Sequence, residues 1–208
     1  MSLLYLGLDP SRYKTDKAIT HLPLIEIVPR PLTCPKLTMQ FSELPHYTHI
    51  LFTSQTTVDL FITACAHYEQ SRPKAAVIAI GRATAERLKR ARIDVTLTAK
   101  EKTQEGIMDA LSGLNFDTSY IFYPRSSRAR ANLTHYLAAR SIRHQVCDLY
   151  DTHLRRPDTC PNPDHFEHIV FTSPSTVDAY LELYKKLPHP QKIITLGPVT
   201  EKYILTLS

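Results

Sequence analysis

One stretch of eleven residues occurs twice in this chain. His49-Ile50-Leu51-Phe52-Thr53-Ser54-Gln55-Thr56-Thr57-Val58-Asp59 returns as His168-Ile169-Val170-Phe171-Thr172-Ser173-Pro174-Ser175-Thr176-Val177-Asp178, with eight of eleven positions identical. In each copy a short apolar run of strand length ends in Thr-Ser and passes into a helical pattern. A second apolar run then follows and ends in glycine. The first copy reads Val77-Ile78-Ala79-Ile80-Gly81-Arg82-Ala83-Thr84, and the second Ile193-Ile194-Thr195-Leu196-Gly197-Pro198-Val199-Thr200. Each glycine has a threonine three positions on. Two widely spaced copies exclude a solenoid, which needs many contiguous ones. They predict two similar α/β lobes, each built on a βαβα unit.

The rest of the chain fits that division. Strands are expected over 3–8, 23–28, 49–53, 75–80, 94–97, 119–123, 143–150, 168–172 and 192–196. Helices are expected over 56–68, 83–90, 104–111, 128–140, 176–186 and 199–207, with a short one over 11–17. Short apolar strands spaced by helices predict parallel sheets covered by helices. Two proline-rich segments interrupt the pattern, at Pro29, Pro31 and Pro35 and at Pro157, Pro161 and Pro163. Proline stiffens extended chain and ends helices. The second βαβα unit has too few strands for a sheet of its own, so residues 3–28 are expected to supply two more. The first lobe is therefore expected from 1–30 and 158–208, and the second from 34–150. Crossings over 29–35 and 149–161 would join them as a two-stranded connection.

Bulk composition narrows the function classes. The 208 residues are 43% hydrophobic and 22% charged, ordinary globular values. The longest apolar run, 75–80, is too short to span a bilayer. The N-terminus lacks a basic region followed by a long apolar stretch, so a cytoplasmic protein without a membrane partner is expected. Cys34, Cys65, Cys147 and Cys160 form no CxxC pair, and the ten histidines form no HxxxH or HExxH. No metal site is expected. Cys65 and Cys147 read as core thiols. The formal charge of +5 allows a nucleic acid or an anionic small molecule. Basic and aromatic residues do not interleave as a stacking platform would require, and no nucleic-acid motif is present, so an anionic small molecule explains the charge at least as well.

Candidate chemistry lies where strands end. Ligands of open α/β sheets bind beyond the carboxyl ends of the strands, and helix N-termini there favour anions. Thr53, Ser54 and Gln55 lie at one such end, and Thr172, Ser173 and Ser175 at the other. Thr84 and Thr200 stand at the matching helix starts. Each hydroxyl reads either as a helix cap or as a ligand donor. Tyr123-Pro124-Arg125 ends another strand, and Arg125 reads as a bidentate carboxylate fork or a surface charge. Tyr150 ends the strand over 143–150 and reads as a packed aromatic or a proton donor facing a cleft between the lobes. Asp59 and Asp178 are explained by the positive ends of their helices. No GxSxG elbow, paired-carboxylate site, GxGxxG or phosphate loop is present.

These residues, in this order and spacing, resemble the uroporphyrinogen-III synthase family. The likeness runs over most of the chain: the two Phe-Thr-Ser strand ends, Gly81-Arg82-Ala83-Thr84-Ala85, Tyr123-Pro124-Arg125, Tyr150 and Gly197-Pro198-Val199-Thr200. The resemblance implies two α/β lobes joined by a two-stranded ladder, the first made from both chain ends. It implies a monomeric enzyme, without cofactor or metal, that closes linear hydroxymethylbilane into a ring and inverts the last pyrrole. That substrate carries eight carboxylates. The resemblance gives Thr53, Ser54, Thr84, Ser173, Ser175 and Thr200 substrate-binding roles and lets Tyr150 assist departure of the substrate hydroxyl. Two departures stand out. The family's first strand often ends Thr-Arg-Pro, where this chain has Gly7-Leu8-Asp9-Pro10-Ser11-Arg12, leaving Arg12 as the candidate replacement. The family usually continues through another strand and helix after the Gly197 helix, so the first lobe is expected to be short at its C-terminus. A two-lobed anion-binding protein without enzymatic activity is the alternative.

Overall fold

The computed structural model describes residues 2–71 and 73–207, with the side chain of Arg12 outside the description. Ten strands are described: β1 (Ser2–Tyr5), β2 (Ala18–His21), β3 (Ile25–Pro29), β4 (His49–Phe52), β5 (Ala76–Ala79), β6 (Leu97–Thr98), β7 (Tyr120–Ser126), β8 (Arg143–Leu154), β9 (His168–Phe171) and β10 (Ile193–Thr195). Seven α-helices accompany them: α1 (Pro35–Ser42), α2 (Gln55–His67), α3 (Arg82–Arg90), α4 (Gln104–Ser112), α5 (Asn132–Ala139), α6 (Pro174–Tyr184) and α7 (Pro198–Leu205). The chain divides into two compact units, Met1–Val28 with Thr152–Ser208 and Pro29–Asp151. They are called the first and second units below.

The first unit holds a four-stranded sheet in the order β10-β9-β1-β2, with each adjacent pair parallel. Leu4, Leu6, Ile169, Phe171, Val177 and Tyr180 form its main core. A six-stranded sheet follows the order β3-β8-β7-β4-β5-β6; β4 to β7 lie wholly in the second unit, whereas β3 up to Val28 and β8 from Thr152 belong to the first. The pairs from β8 to β6 are parallel. The core of the second unit includes an aromatic group in which Phe122 stacks on Tyr47 and meets Phe41 edge to face. The repeated segments take equivalent places. β4 lies between β7 and β5, and β9 lies between β1 and β10. Both copies read as a strand buried on both faces, which explains their unbroken apolar runs.

The chain passes from unit to unit along β3 and β8, which are neighbours in the sheet. Leu24 O accepts from Arg155 N at 2.8 Å and Arg30 N donates to Leu149 O at 2.8 Å, the order of an antiparallel pair.

Four expectations need correction. The strand expected over 23–28 runs over Ile25–Pro29 and joins the larger sheet, while the four-stranded sheet takes Ala18–His21 instead. β2 is a largely exposed edge strand, so it carries little of the apolar signal that marks a strand. The helix expected over 11–17 is one 3-10 turn, Pro10–Arg12, where Asp9 Oδ1 accepts from Ser11 N at 3.0 Å. Pro35 does not extend the crossing; it starts α1, where proline suits the first helical position, and Leu37 and Phe41 are buried beneath it. Tyr150 does not end its strand, because β8 continues to Leu154.

Asp59 and Asp178 do more than favour their own helix starts. Asp59 on α2 pairs with Arg87 on α3, and Asp178 on α6 accepts from the Tyr203 phenol on α7. The repeat therefore ties its two helices together by the same aspartate in both units. Burial pushes the thiols of Cys65 and Cys147 up to about 12.

A second ion pair joins α4 to the start of α5. Glu105 accepts from Arg130 at 2.8 and 2.9 Å and from Asn132 at 3.1 Å. The hydrogen bonds from Arg130, first among several causes, lower its carboxyl to about 2. A carboxyl lowered on folding stabilises the fold above its ordinary value and loses that contribution as pH falls toward the lowered one. The advantage of wild type over Glu105→Gln should therefore be full above about pH 5 and shrink toward pH 2. Thermal unfolding of both proteins across that range measures it. Both partners are substantially exposed, so the effect is small. A constant difference would show that Glu105 is not titrating against Arg130.

Candidate functional site

Parallel pairing brings the carboxyl ends of neighbouring strands to one edge of a sheet. In the second unit that edge carries Thr53 and Ser54 after β4, Gly81 after β5, Arg125 and Ser126 late in β7, and Tyr150 in β8. Ser126 and Tyr150 are register partners, with an irregularity between Arg125 and Ser126. Ser127 N donates to Tyr150 O at 3.0 Å, just beyond that irregularity. Ser127 Oγ donates to Asp151, which also receives Arg30. The backbone on both sides of Tyr150 is thereby fixed.

Ser54 is the N-cap of α2. Its Oγ accepts from Thr57 N at 3.0 Å and lies 2.8 Å from Thr57 Oγ1. The Tyr150 phenol oxygen lies 3.4 Å from the same Oγ. That is long for an O–H···O bond, which peaks near 2.7–2.8 Å. The phenol is thus close to the cap without being firmly engaged by it, although Tyr150 is only 6% exposed. Thr53 bonds the Tyr123 phenol, which also receives Gln104 Nε2 at 3.3 Å. Burial raises the Tyr123 phenol, so it stays protonated. Gln55 is the first residue of α2 and is partly exposed.

Thr84 sits in the first turn of α3 and is only 3% exposed. Arg125 is engaged within the chain. Its Nε donates to Asp148 at 3.0 Å and a terminal nitrogen donates to Thr134 at 3.2 Å. Its guanidinium also lies over the Tyr123 ring, 5.7 Å from the centroid.

The corresponding edge of the first unit carries Thr172 and Ser173 after β9, Gly197 after β10, Gly7 after β1, and His21 at the end of β2. The same motif is wired differently here. Thr176 Oγ1 accepts from Thr172 N at 3.1 Å and Ser173 N at 3.2 Å, and donates to Ser173 O at 2.7 Å. Ser173 Oγ itself is buried without a hydrogen-bond partner. Ser175 lies in the first turn of α6, partly exposed. Thr200 matches Thr84, with 3% exposure and its N donating to Gly197 O at 3.1 Å.

Two residues of this edge were not among the candidates read from the sequence. A Cβ on Gly7 would lie 2.5 Å from Thr172 Cγ2, so glycine lets the β1 end press against the β9 end. His21 Nε2 is 2.8 Å from Gly7 O. Neither belongs to a repeated motif, so periodicity gave no signal for them.

The difference in capping has a measurable consequence. Ser54→Ala removes a working cap and should cost about 1 kcal/mol. Ser173→Ala removes a hydroxyl that makes no bond and should change stability by less than about 0.5 kcal/mol. Urea unfolding of the two variants checks this. Equal losses would show that Ser173 caps α6 as Ser54 caps α2.

The chemistry available is that of neutral donors: hydroxyls, a phenol and helix-start amides at the strand ends of each unit. Such an edge suits an anionic ligand bound by many weak donors. Among the described residues no group of three His, Cys, Asp or Glu side chains comes together as a metal site. No helix of the described residues is long and apolar enough to cross a membrane. Fold and strand ends together define the class: a duplicated, parallel α/β protein with anion-favouring strand ends.

A family model for uroporphyrinogen-III synthase HemD matches residues 16–207. The chain belongs to the uroporphyrinogen-III synthase family. A relative from Methanothermobacter thermautotrophicus, itself provisionally named a uroporphyrinogen-III synthase, is 27% identical over 171 residues. That match covers 73% of this chain and 66% of the relative, so the chain spans just under two thirds of that relative's length. Among solved structures, a mutant uroporphyrinogen III synthase from the extreme thermophile Thermus thermophilus is similar at a TM-score of 0.69 and 16% identity. The likeness covers 99% of this chain and 88% of that one. The Helicobacter pylori uroporphyrinogen-III synthetase gives a TM-score of 0.61 at 17% identity, with the same coverage. At these identities the structures share the fold.

Proposed function

We propose that this chain is a uroporphyrinogen-III synthase: a lyase, working without a cofactor, that closes hydroxymethylbilane into the type III ring. Membership of the family over residues 16–207 supports the reading. The observation that carries the chemistry is the Tyr150 phenol, 3.4 Å from Ser54 Oγ at the start of α2. Leaving as hydroxide is unfavourable near neutral pH. In this reading the phenol gives its proton to the terminal substrate hydroxyl as the carbon–oxygen bond breaks, and water departs. The electron-rich pyrrole supplies the electron pair. Ring closure later releases a proton from the attacked pyrrole, which balances the one the phenol gave.

Thr53, Ser54, Gln55 and Thr84 in the second unit are the proposed carboxylate partners, together with Thr172, Ser173, Ser175 and Thr200 in the first. Arg125 contributes indirectly in this scheme, because Asp148 already holds it. Its role is to fix the β7 end beside Tyr150. Shared neutral donors and a net charge of +5 suit a substrate with eight carboxylates.

Ligand binding tests the carboxylate reading separately from turnover. Uroporphyrin, with eight carboxylates, should bind at least about tenfold more tightly than coproporphyrin, with four, since each charge-assisted bond contributes about 1.5–3 kcal/mol. Fluorescence titration measures both. Equal affinity would mean that the carboxylates are not what the site holds.

A further inference from the structure

The Tyr150 phenol is held only loosely by its own hydroxyl, 3.4 Å from Ser54 Oγ. Its aim therefore depends on the backbone that carries it. That backbone follows a break in the ladder. Pairing moves from Arg125 opposite Asp148 to Ser126 opposite Tyr150, so Leu149 is an extra residue on β8. An extra residue disrupts the ladder locally and re-aims the side chains beside it. Regular pairing no longer fixes the strand there, and other groups have to.

Two backbone donors take that place. Arg30 N, just after β3, donates to Leu149 O at 2.8 Å, on the peptide before Tyr150. Ser127 N, just after β7, donates to Tyr150 O at 3.0 Å, on the peptide after it. Both donor residues return to one carboxylate. Ser127 Oγ donates to Asp151 Oδ1, and a terminal nitrogen of Arg30 donates to the same oxygen at 3.1 Å. Ser127 thus closes a small hydrogen-bonded ring around the peptide that joins Tyr150 to Asp151. An ion pair alone would need only Arg30. The Ser127 hydroxyl adds no charge and ties in the end of β7.

We infer that Asp151 is a positioning residue for the Tyr150 phenol, holding Ser127 and Arg30 so that both peptides of Tyr150 stay fixed beside the irregularity. Successive side chains of a strand leave opposite faces, so the carboxylate acts on Tyr150 through the peptide they share. The inference rests on the proposed proton transfer from Tyr150 and adds to it the group that aims the donor.

Steady-state kinetics with hydroxymethylbilane tests it. Asp151→Ala frees both donors and should lower kcat roughly tenfold, with KM changed by less than about twofold, since misplacement by about 1 Å can cost up to a hundredfold in rate. Because Asp151 acts through Tyr150, the same change made in Tyr150→Phe should lower kcat by no more than about twofold. A residue that only stabilises the fold would not show that dependence. Asparagine keeps a carbonyl oxygen with two lone pairs for the two donors, so Asp151→Asn should stay within about threefold of wild type. Ser127→Ala removes one hold. It should show the same dependence on Tyr150 with a smaller loss, and it carries the test should Asp151→Ala not fold. Rates are taken per folded molecule, from unfolding curves of each variant. Full turnover in Tyr150→Phe would overturn the proton-transfer reading and this role with it. A slow Tyr150→Phe in which Asp151→Ala or Ser127→Ala costs as much as it does in wild type would overturn the positioning role alone.

Discussion

Tyr150→Phe should lower turnover roughly 10- to 100-fold and leave the product isomer unchanged. The magnitude is the modest end of positioned proton transfer. It is modest because the pyrrole can expel the hydroxyl without help, so the phenol accelerates a step that the substrate already undertakes. The isomer depends on how the chain of pyrroles is folded against the strand ends, and the phenylalanine ring keeps the bulk that Tyr150 presents there. Stability should fall by no more than about 1 kcal/mol, since the phenol's contact with Ser54 Oγ is long at 3.4 Å. Turnover, isomer ratio and unfolding measured on one sample separate the outcomes. Full turnover would remove Tyr150 from the chemistry. A large loss of stability with unchanged turnover per folded molecule would make it a packing residue.

The largest effect on stability is expected at Phe122→Ala, which should destabilise the second unit by about 3–5 kcal/mol. Phe122 is fully buried on β7, the strand between β8 and β4. Its ring lies 4.7 Å from Tyr47, 5.7 Å from Phe41 and 6.3 Å from Phe61, centroid to centroid. Removing it opens a cavity walled by rings carried on different elements, which cannot all move in to fill it. β7 also carries Arg125 and Ser126 toward Tyr150, so a softened β7 would reach the candidate site. Denaturant unfolding reports the loss. A cost below about 1 kcal/mol would mean that the aromatic group is loosely packed.

Features with a period were legible in the sequence. The repeated His-Ile-x-Phe-Thr-Ser segments announced buried parallel strands and helix starts, because an apolar run followed by a cap residue has few other solutions. The parallel α/β class and the candidate strand ends at Thr53, Ser54, Thr172 and Ser173 followed from that. Features set by pairing were not legible. Arg125 and Asp148 are 23 residues apart and meet only because β7 and β8 pair in register, with Arg125 opposite Asp148. Ser54 and Ser173 occupy the same place in the repeat and both are N-caps, yet the Thr57 hydroxyl turns to the Ser54 side chain while the Thr176 hydroxyl turns to the Ser173 backbone. Identical residue types cannot reveal which way those two hydroxyls turn. β2 escaped because an edge strand with one partly buried side chain needs no apolar alternation. His21 reaches Gly7 through β1–β2 pairing, which that missed strand concealed, and Gly7 meets Thr172 through the neighbouring β9, a contact no local pattern records.

Direct incubation with freshly prepared hydroxymethylbilane tests the central proposal most simply. The substrate closes without help to the type I ring, so the isomer made in excess of that background reports the catalyst. After oxidation, the two uroporphyrin isomers are separated and counted. The account predicts that the type III isomer predominates, at a rate proportional to the concentration of this chain. Type I alone, formed at the rate seen without protein while uroporphyrin still binds, would contradict it and leave an anion-binding protein on the same fold.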